Sequence, residues 1–190
     1  MLSGGFIFII PAFQNLIFPI LISLFILVFL ASINRKSHLF KGYYLMLAEN
    51  EELEVGYLQG PIAFASAVLI TSVLYGLFPN SVAIIMSSLL AMIIGDTFAA
   101  VIGKRFGKHK IKIGNKAFKR TLEGCLAMFI STSALSSLAF YLVGSFNIAE
   151  VLTLSIVATL IEAFSPSKWD DFLIPVITSI VMIALNWAIL

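Results

Sequence analysis

One acidic residue of this chain comes directly after a long uncharged stretch. Asp96 follows the fourteen uncharged residues Val82–Gly95, and Lys104 and Lys108 come eight and twelve residues after it. In a helix these three charged positions share one stripe, with Asp96 and Lys104 about 12 Å apart along the axis. A carboxylate can hold Mg²⁺ and lysines can neutralise phosphate groups, so this spacing is typical of a polyphosphate site.

Small residues form a second stripe on the same predicted helix. They recur every four residues, at Ala91, Gly95, Ala99, Gly103 and Gly107. Two interpretations of this stripe stay open. It could allow close packing against another helix, or it could let phosphate oxygens approach a backbone that carries no Cβ atom.

A basic segment separates this helix from the next one. Eight lysines and arginines lie between Lys104 and Arg120, and Thr121 can cap a following helix whose first turn contains Glu123. Glu123 could cap that helix and compensate its dipole, or it could be a second ligand of a metal or nucleotide beneath a lid. The cations by themselves would also suit anionic lipid headgroups.

Composition indicates that these residues are held by helices in a lipid bilayer. Of the 190 residues, 60% are hydrophobic and 12% are charged, which is far from the average of soluble domains. Because a span needs about 20 apolar residues, we predict about six transmembrane helices, and a number from about five to about seven stays open. The apolar stretches are Leu16–Ile33, Pro61–Phe78, Val82–Ile102, Cys125–Val143, Ile148–Phe164 and Phe172–Leu190. The expected fold is an all-α, polytopic helical bundle that forms one integral membrane domain over residues 1–190.

The placement of charge predicts how this bundle is oriented. All twelve basic residues lie in three loops on one side of the six-helix arrangement, including the basic loop 104–120. The positive-inside rule places these loops in the cytoplasm. Five acidic residues lie at or just beyond the same helix ends: Asp96, Glu123, Glu162, Asp170 and Asp171. This convergence predicts a site that faces the cytoplasm, whereas a transporter more often has its ionisable groups near the midplane.

Two shorter segments are predicted to lie outside the spans. Phe40–Ala48 is too short to cross a bilayer, and its two tyrosines suit a helix on the membrane surface. The acidic run Glu49–Glu54 is expected to be a solvated loop, because its spacing fits no calcium loop. The single cysteine, Cys125, has apolar neighbours and is expected to be packed and unreactive.

Several motifs resemble one family of membrane enzymes. "GDTFAAVIGKRFGKHKI" followed by "NKAFKRTLEGCLAMF" is similar to the signature of the CTP-using dolichol, phytol and diacylglycerol kinases and of the related phosphatidate cytidylyltransferases. "QGPIAFA" resembles a phytol kinase stretch, and "ATLIEAFSPSKWDDFLIPV" resembles the C-terminal segment of the kinases. The resemblance covers roughly residues 55 to 180. The chain departs from the pattern at Arg120, where the kinases usually have lysine, and in "NRKSHLF", where the spacing before His38 is one residue tighter.

This resemblance implies a CTP-dependent lipid-alcohol kinase. The acceptor would be a polyprenol, phytol or diacylglycerol, and no nucleic acid is expected as a partner. The cytidylyltransferases normally end in a Pro-Gly-His-Gly-Gly segment that is missing here, which favours the kinase, although a CDP-lipid synthase remains the alternative. A small lipid transporter is the alternative outside the enzymes, and the oligomeric state, including a homodimer, stays open.

The resemblance also implies roles for individual residues. Asp96 would bind Mg²⁺, with Glu123 and either Asp170 or Asp171 completing the shell, and Asp96 and Glu123 would be catalytic. The residues expected to bind the nucleotide are Gly95, Gly103, Lys104, Arg105, Gly107, Lys108, Lys119, Arg120, Thr121 and Gly124. Glu162 keeps two interpretations, a carboxylate of the site or a hydrogen-bond partner in helix packing.

Overall fold

The fold of the chain is mostly helical. A computed structural model describes residues 17–35, 40–48, 50–113, 116–166 and 169–189. Its elements in chain order are α1 (Ile17–Ser32), α2 (Lys41–Leu47), α3 (Asn50–Val55), α4 (Gln59–Leu77), a 3₁₀ turn (Pro79–Ser81), α5 (Val82–Leu90), a π-helical segment (Ala91–Gly95), α6 (Asp96–Phe106), β1 (Lys110–Ile113), β2 (Lys116–Thr121), α7 (Leu122–Val143), α8 (Ile148–Phe164) and α9 (Asp170–Ile189).

Three helical stretches within the described residues are long and apolar enough to cross a membrane. They are Gln59–Leu77, Pro79–Phe106 and Leu122–Val143, and Ile20–Ser32 is a shorter apolar helix. These stretches support the prediction of a helical membrane protein, while the number of six spans stays a prediction. The last two predicted spans are not among these three stretches. They correspond to helix α8, which has 17 residues, and to helix α9, which begins with two aspartates and contains Pro175.

Helix α5 lies at the centre of the bundle. Every residue from Ala83 to Leu90 is buried. Helices α4, α7 and α9 pack around it, and α7 also packs against α6 and α8. The main core includes Leu89 of α5, Met128 of α7 and Ile174 of α9. This packing brings the ends of α6, α7, α8 and α9 to one region of the molecule.

The basic segment corrects the all-α prediction, because it is not the loop that we expected over 104–120. Its first part continues α6, and its second part is an antiparallel hairpin in which Lys110 pairs with Thr121 and Ile113 with Lys116. The sequence reason is the alternation of lysine and isoleucine in β1, since a period of two residues places like side chains on one face of a strand. The hairpin returns the chain directly to the start of α7.

The acidic run after α2 forms the helix α3, so the expectation of a loop is wrong for its described residues, although Glu54 is exposed to solvent as expected. Glu52 lies in α3 and is only 8% exposed. Its Oε1 accepts a hydrogen bond from the backbone N–H of Gly60 at 2.9 Å, and its carbonyl accepts one from the Tyr44 hydroxyl at 2.6 Å. The acid therefore fastens the start of α4 to α2. Glu49 lies outside the described residues, and α2 is a short helix as predicted.

Candidate active site

Three carboxylates surround the guanidinium of Arg120 at one end of the bundle. Arg120 Nη1 lies 3.0 Å from Glu162 Oε1 and 3.7 Å from Asp96 Oδ1. Arg120 Nη2 donates a hydrogen bond to Asp170 Oδ2. We call these four residues, Asp96, Arg120, Glu162 and Asp170, the carboxylate–arginine cluster.

Four separate elements position this cluster. Asp96 is the first residue of α6 and follows the π-helical segment, a feature that is often found at functional sites. Arg120 stands in β2, immediately before the residue that caps α7. Glu162 lies in the last turn of α8, and Asp170 is the first residue of α9. The cluster therefore depends on the packing of the whole bundle and on the register of the hairpin.

The cluster is largely removed from solvent. The exposed fraction of the side chain is 2% for Glu162, 12% for Asp170, 16% for Arg120 and 21% for Asp96. Burial of Arg120 lowers the pKa of its guanidinium, but the carboxylates of Glu162, Asp96 and Asp170 outweigh this and raise that pKa above its ordinary value. The guanidinium thus keeps its charge, and three carboxylates to one cation leave the cluster with acidic groups in excess.

The oxygen atoms of the cluster suit a divalent cation in their chemistry. Mg²⁺ prefers carboxylate oxygens, and Asp96 Oδ1 is a buried atom without a hydrogen-bond partner in the described part of the chain. No three His, Cys, Asp or Glu side chains among the described residues are already grouped as a metal site. Arg120 lies between the carboxylates, so a cation at Asp96 would require the guanidinium to move.

Glu123 contacts His109 and is not one of the carboxylates of the carboxylate–arginine cluster. It lies in the first turn of α7, and its Oε1 is 2.7 Å from His109 Nδ1 and 3.2 Å from the backbone nitrogen of His109. The backbone N–H of Leu122 donates to the His109 carbonyl at 2.9 Å. Glu123 therefore fastens the base of the hairpin to α7, and its role as a metal ligand stays a prediction.

Thr121 performs the cap that its sequence predicts. Its Oγ1 accepts a hydrogen bond from the backbone N–H of Gly124 at 3.2 Å. This bond satisfies one of the free N–H groups at the start of α7 and fixes the path of the chain immediately after Arg120.

The predicted glycine positions lie where α6 approaches α7 and its cap. A Cβ atom at Gly124 would lie 2.9 Å from the carbonyl oxygen of Ala99, and one at Gly103 would lie 3.0 Å from Thr121 Oγ1. Added Cβ atoms at Gly95 and Gly107 would also meet side chains of α7 or Thr121 at under 3.0 Å. The structure thus supports the packing interpretation of the small-residue stripe, and contact with phosphate stays a proposal.

The predicted basic residues lie nearer to solvent than the carboxylates. Lys104, Arg105 and Lys108 are exposed, and Lys104 is about 12 Å farther along α6 than Asp96. Lys119 belongs to β2, and its side chain lies outside the described residues. Asp171 is in the first turn of α9, where its backbone N–H donates to Asp170 Oδ1 at 3.0 Å. The basic side chains are therefore more exposed to solvent than the carboxylates of the cluster.

One neighbour of the cluster was not expected from the sequence. The thiol of Cys125 on α7 lies 3.5 Å from Glu162 Oε2 on α8. Glu162 thus contacts Arg120 in the cluster and Cys125 on a neighbouring helix. The contact with Cys125 agrees with the packing interpretation, and a role of Glu162 as a carboxylate of the site stays a prediction. No sequence pattern marks Cys125, because the contact depends on how α7 and α8 pack.

Comparison with known proteins relates this chain to lipid kinases. It is 38% identical over 120 residues to the dolichol kinase of Saccharomyces cerevisiae, covering 58% of this chain and 22% of that kinase. It is 35% identical over 83 residues to the dolichol kinase of Schizosaccharomyces pombe, covering 43% of this chain and 16% of that kinase. The chain is therefore similar to one part of each of these two dolichol kinases.

A third relative is the uncharacterised protein MJ1137 of Methanocaldococcus jannaschii. It is 33% identical over 126 residues, which covers 63% of this chain and 57% of the archaeal protein. The chain spans less than a quarter of the length of both yeast kinases. No family model and no solved structure matches the chain. The relation to phosphatidate cytidylyltransferases stays a prediction.

Proposed function

We propose that the protein is a CTP-dependent kinase that transfers the γ-phosphate to the hydroxyl of a membrane lipid alcohol at the cytoplasmic face. The observation that carries this proposal is the carboxylate–arginine cluster at one end of the bundle, in a chain similar to two dolichol kinases. The acceptor class is a polyprenol, phytol or diacylglycerol.

Phosphoryl transfer mainly requires positioning and neutralisation of charge, and the cluster has groups for both. Asp96 and Asp170 would hold Mg²⁺, which when bound neutralises charge on the phosphate oxygens. Arg120 would turn from Asp96 toward the phosphates. Its fork of N–H donors matches phosphate oxygens, and its raised pKa keeps it charged throughout.

Glu162 is the carboxylate that we assign to the acceptor. It is nearly fully buried, and it lies between Arg120 and the apolar contact of α7 with α8. A lipid hydroxyl that reaches it from the bilayer would donate a hydrogen bond to its carboxylate. Glu162 would thereby orient the hydroxyl and accept its proton during transfer.

The exposed cations would contact the outer part of the nucleotide. Lys104, Arg105 and Lys108 lie toward solvent from the cluster, and the hairpin over β1 and β2 begins two residues after Lys108. We propose that these cations neutralise the phosphates and that the hairpin covers them. Arg120 directly precedes Thr121, which caps α7, so the hairpin is connected to the start of α7 immediately after Arg120.

A nucleotide and acceptor panel tests the proposed function. Purified protein in neutral detergent with Mg²⁺ is expected to phosphorylate a lipid alcohol when it is given CTP, and at a much lower rate with ATP. The panel contains phytol, polyprenol, diacylglycerol and phosphatidate, and the products are resolved by chromatography. In a parallel assay with the protein in vesicles, lipid movement between the bilayer leaflets without any nucleotide turnover would instead favour the transporter.

A further inference from the structure

An apolar groove lies beside the carboxylate–arginine cluster, between α7 and α8. It has a volume of about 270 Å³ and lies between Cys125, Leu126 and Phe129 of α7 and Ile156, Thr159 and Leu160 of α8. Leu126, Ile156 and Leu160 are at least half exposed at its rim. In a membrane, this outer side of the groove would open onto the hydrocarbon.

The groove and the cluster share one wall. Cys125 lines the groove, and its thiol lies 3.5 Å from Glu162 Oε2. Glu162 in turn lies 3.0 Å from Arg120. Thr159 precedes Glu162 by three residues, a spacing that places both on one side of α8. An open apolar groove on the outer side of the bundle is thus separated from a buried carboxylate by the side chain of Cys125, an arrangement that suits an amphiphile.

The polar groups that line the groove are already engaged. The Thr159 hydroxyl donates to the Ser155 carbonyl at 2.7 Å, and the Cys125 thiol is directed to Glu162. A phosphate or an ester carbonyl in the groove would lose its hydration without gaining a donor. A saturated or isoprenoid chain has no such requirement, so the lining favours hydrocarbon.

We propose that this groove binds the first carbon units of the acceptor alcohol, with the hydroxyl beside Glu162 and the rest of the chain in the bilayer. The proposal rests on the kinase function above and adds the helices and residues that hold the acceptor. Its volume is just below the 300–1,000 Å³ that is usual for small-molecule sites, so it holds part of a chain and leaves the remainder to lipid. Alcohols whose hydrocarbon begins at the carbinol carbon fit it better than diacylglycerol, whose hydroxyl stands next to two ester groups.

A substitution that fills the groove tests the proposal. Thr159→Phe is expected to raise the KM for polyprenol at least ~10-fold while CTP binding stays within about twofold, because it removes acceptor binding alone. Thr153→Phe is the matched control. Thr153 lies on the same helix, makes the same hydrogen bond to the carbonyl four residues earlier, at 2.8 Å, and does not line the groove. An unchanged KM in Thr159→Phe, or an equal rise in both variants, would contradict the proposal.

A second measurement separates the groove from the kinase function. A polyprenol analogue with a diazirine near its hydroxyl is photolysed with the full-length protein in vesicles, without nucleotide. Labelling is expected in the peptides that contain Cys125–Phe129 and Ile156–Leu160, to fall when unlabelled polyprenol is added and to be lost in Thr159→Phe. Labelling with this pattern would support the groove even if no phosphorylated product forms in the panel above. Labelling confined to other helices, unchanged in Thr159→Phe, would overturn the groove and leave the kinase proposal standing.

Discussion

Asp96→Asn is expected to abolish phosphoryl transfer while the protein stays in the membrane at normal abundance. The substitution keeps the shape of the side chain and removes the charge of a carboxylate whose Oδ1 is buried and has no hydrogen-bond partner within the described residues. Loss of one preorganised charged group typically lowers turnover by about 10²-fold or more. Arg120 keeps Glu162 and Asp170 as partners, so the bundle should still fold. The measurement is the initial rate with labelled CTP, together with quantification of the protein in the membrane fraction.

Glu150→Gln is the control for this loss of charge. Glu150 lies in the first turn of α8, at the other end of the helix from Glu162, and contacts Asn147 at 3.1 Å. Its substitution also removes one acidic charge, and activity is expected to stay near that of the unmodified protein. If Asp96→Asn kept comparable activity, Asp96 would not be the metal-binding residue.

Arg120→Gln is expected to cause a large loss of both stability and nucleotide binding. Without the guanidinium, Asp96, Glu162 and Asp170 would be left as buried carboxylates with no cation between them. Removal of one partner from a buried ion pair typically costs about 3–5 kcal/mol. Thermal unfolding in detergent measures the loss of stability, and equilibrium binding of CTP measures the loss of affinity.

One further variant shows whether charge or shape at Arg120 matters, and a second variant is the control for the loss of an arginine. Arg120→Lys keeps the charge and has the residue that related kinases usually carry there, so we expect folding and part of the activity to remain. Arg35→Gln removes an exposed arginine outside the cluster and should change the free energy of unfolding by less than about 0.5 kcal/mol. An Arg120→Gln protein as stable as the Arg35→Gln control would show that the ion pairs contribute little.

The sequence predicts which acids come together better than it predicts how they are neutralised. Asp96, Glu162 and Asp170 lie at or just beyond the ends of apolar stretches whose orientation can be inferred from the basic loops, and the structure places all three in one cluster. The contact of Arg120 with them depends on the register of the hairpin, which the basic composition of that segment conceals. The lysine–isoleucine alternation of β1 was the available signal for strands.

Glu123 shows the limit of assigning ligands from spacing. The sequence predicts that Glu123 lies in the first turn of a helix and that Thr121 caps this helix, and both predictions are confirmed. Its partner is His109, fourteen residues earlier in the chain, because the hairpin returns the chain to the start of α7. The π-helical segment before Asp96 and the contact of Cys125 with Glu162 likewise arise from packing between helices and leave no pattern in the sequence.

The most direct test of the account is the fate of each phosphate of CTP. Two reactions with purified protein, Mg²⁺ and polyprenol are compared, one with CTP labelled on the γ-phosphate and one with CTP labelled on the α-phosphate. A kinase transfers the γ label to polyprenyl phosphate and releases CDP without pyrophosphate, and this is the result that we predict. Phosphatidate is supplied in a parallel pair of reactions. The appearance of the α label in a CDP-lipid, with release of pyrophosphate, would contradict the kinase and identify a cytidylyltransferase.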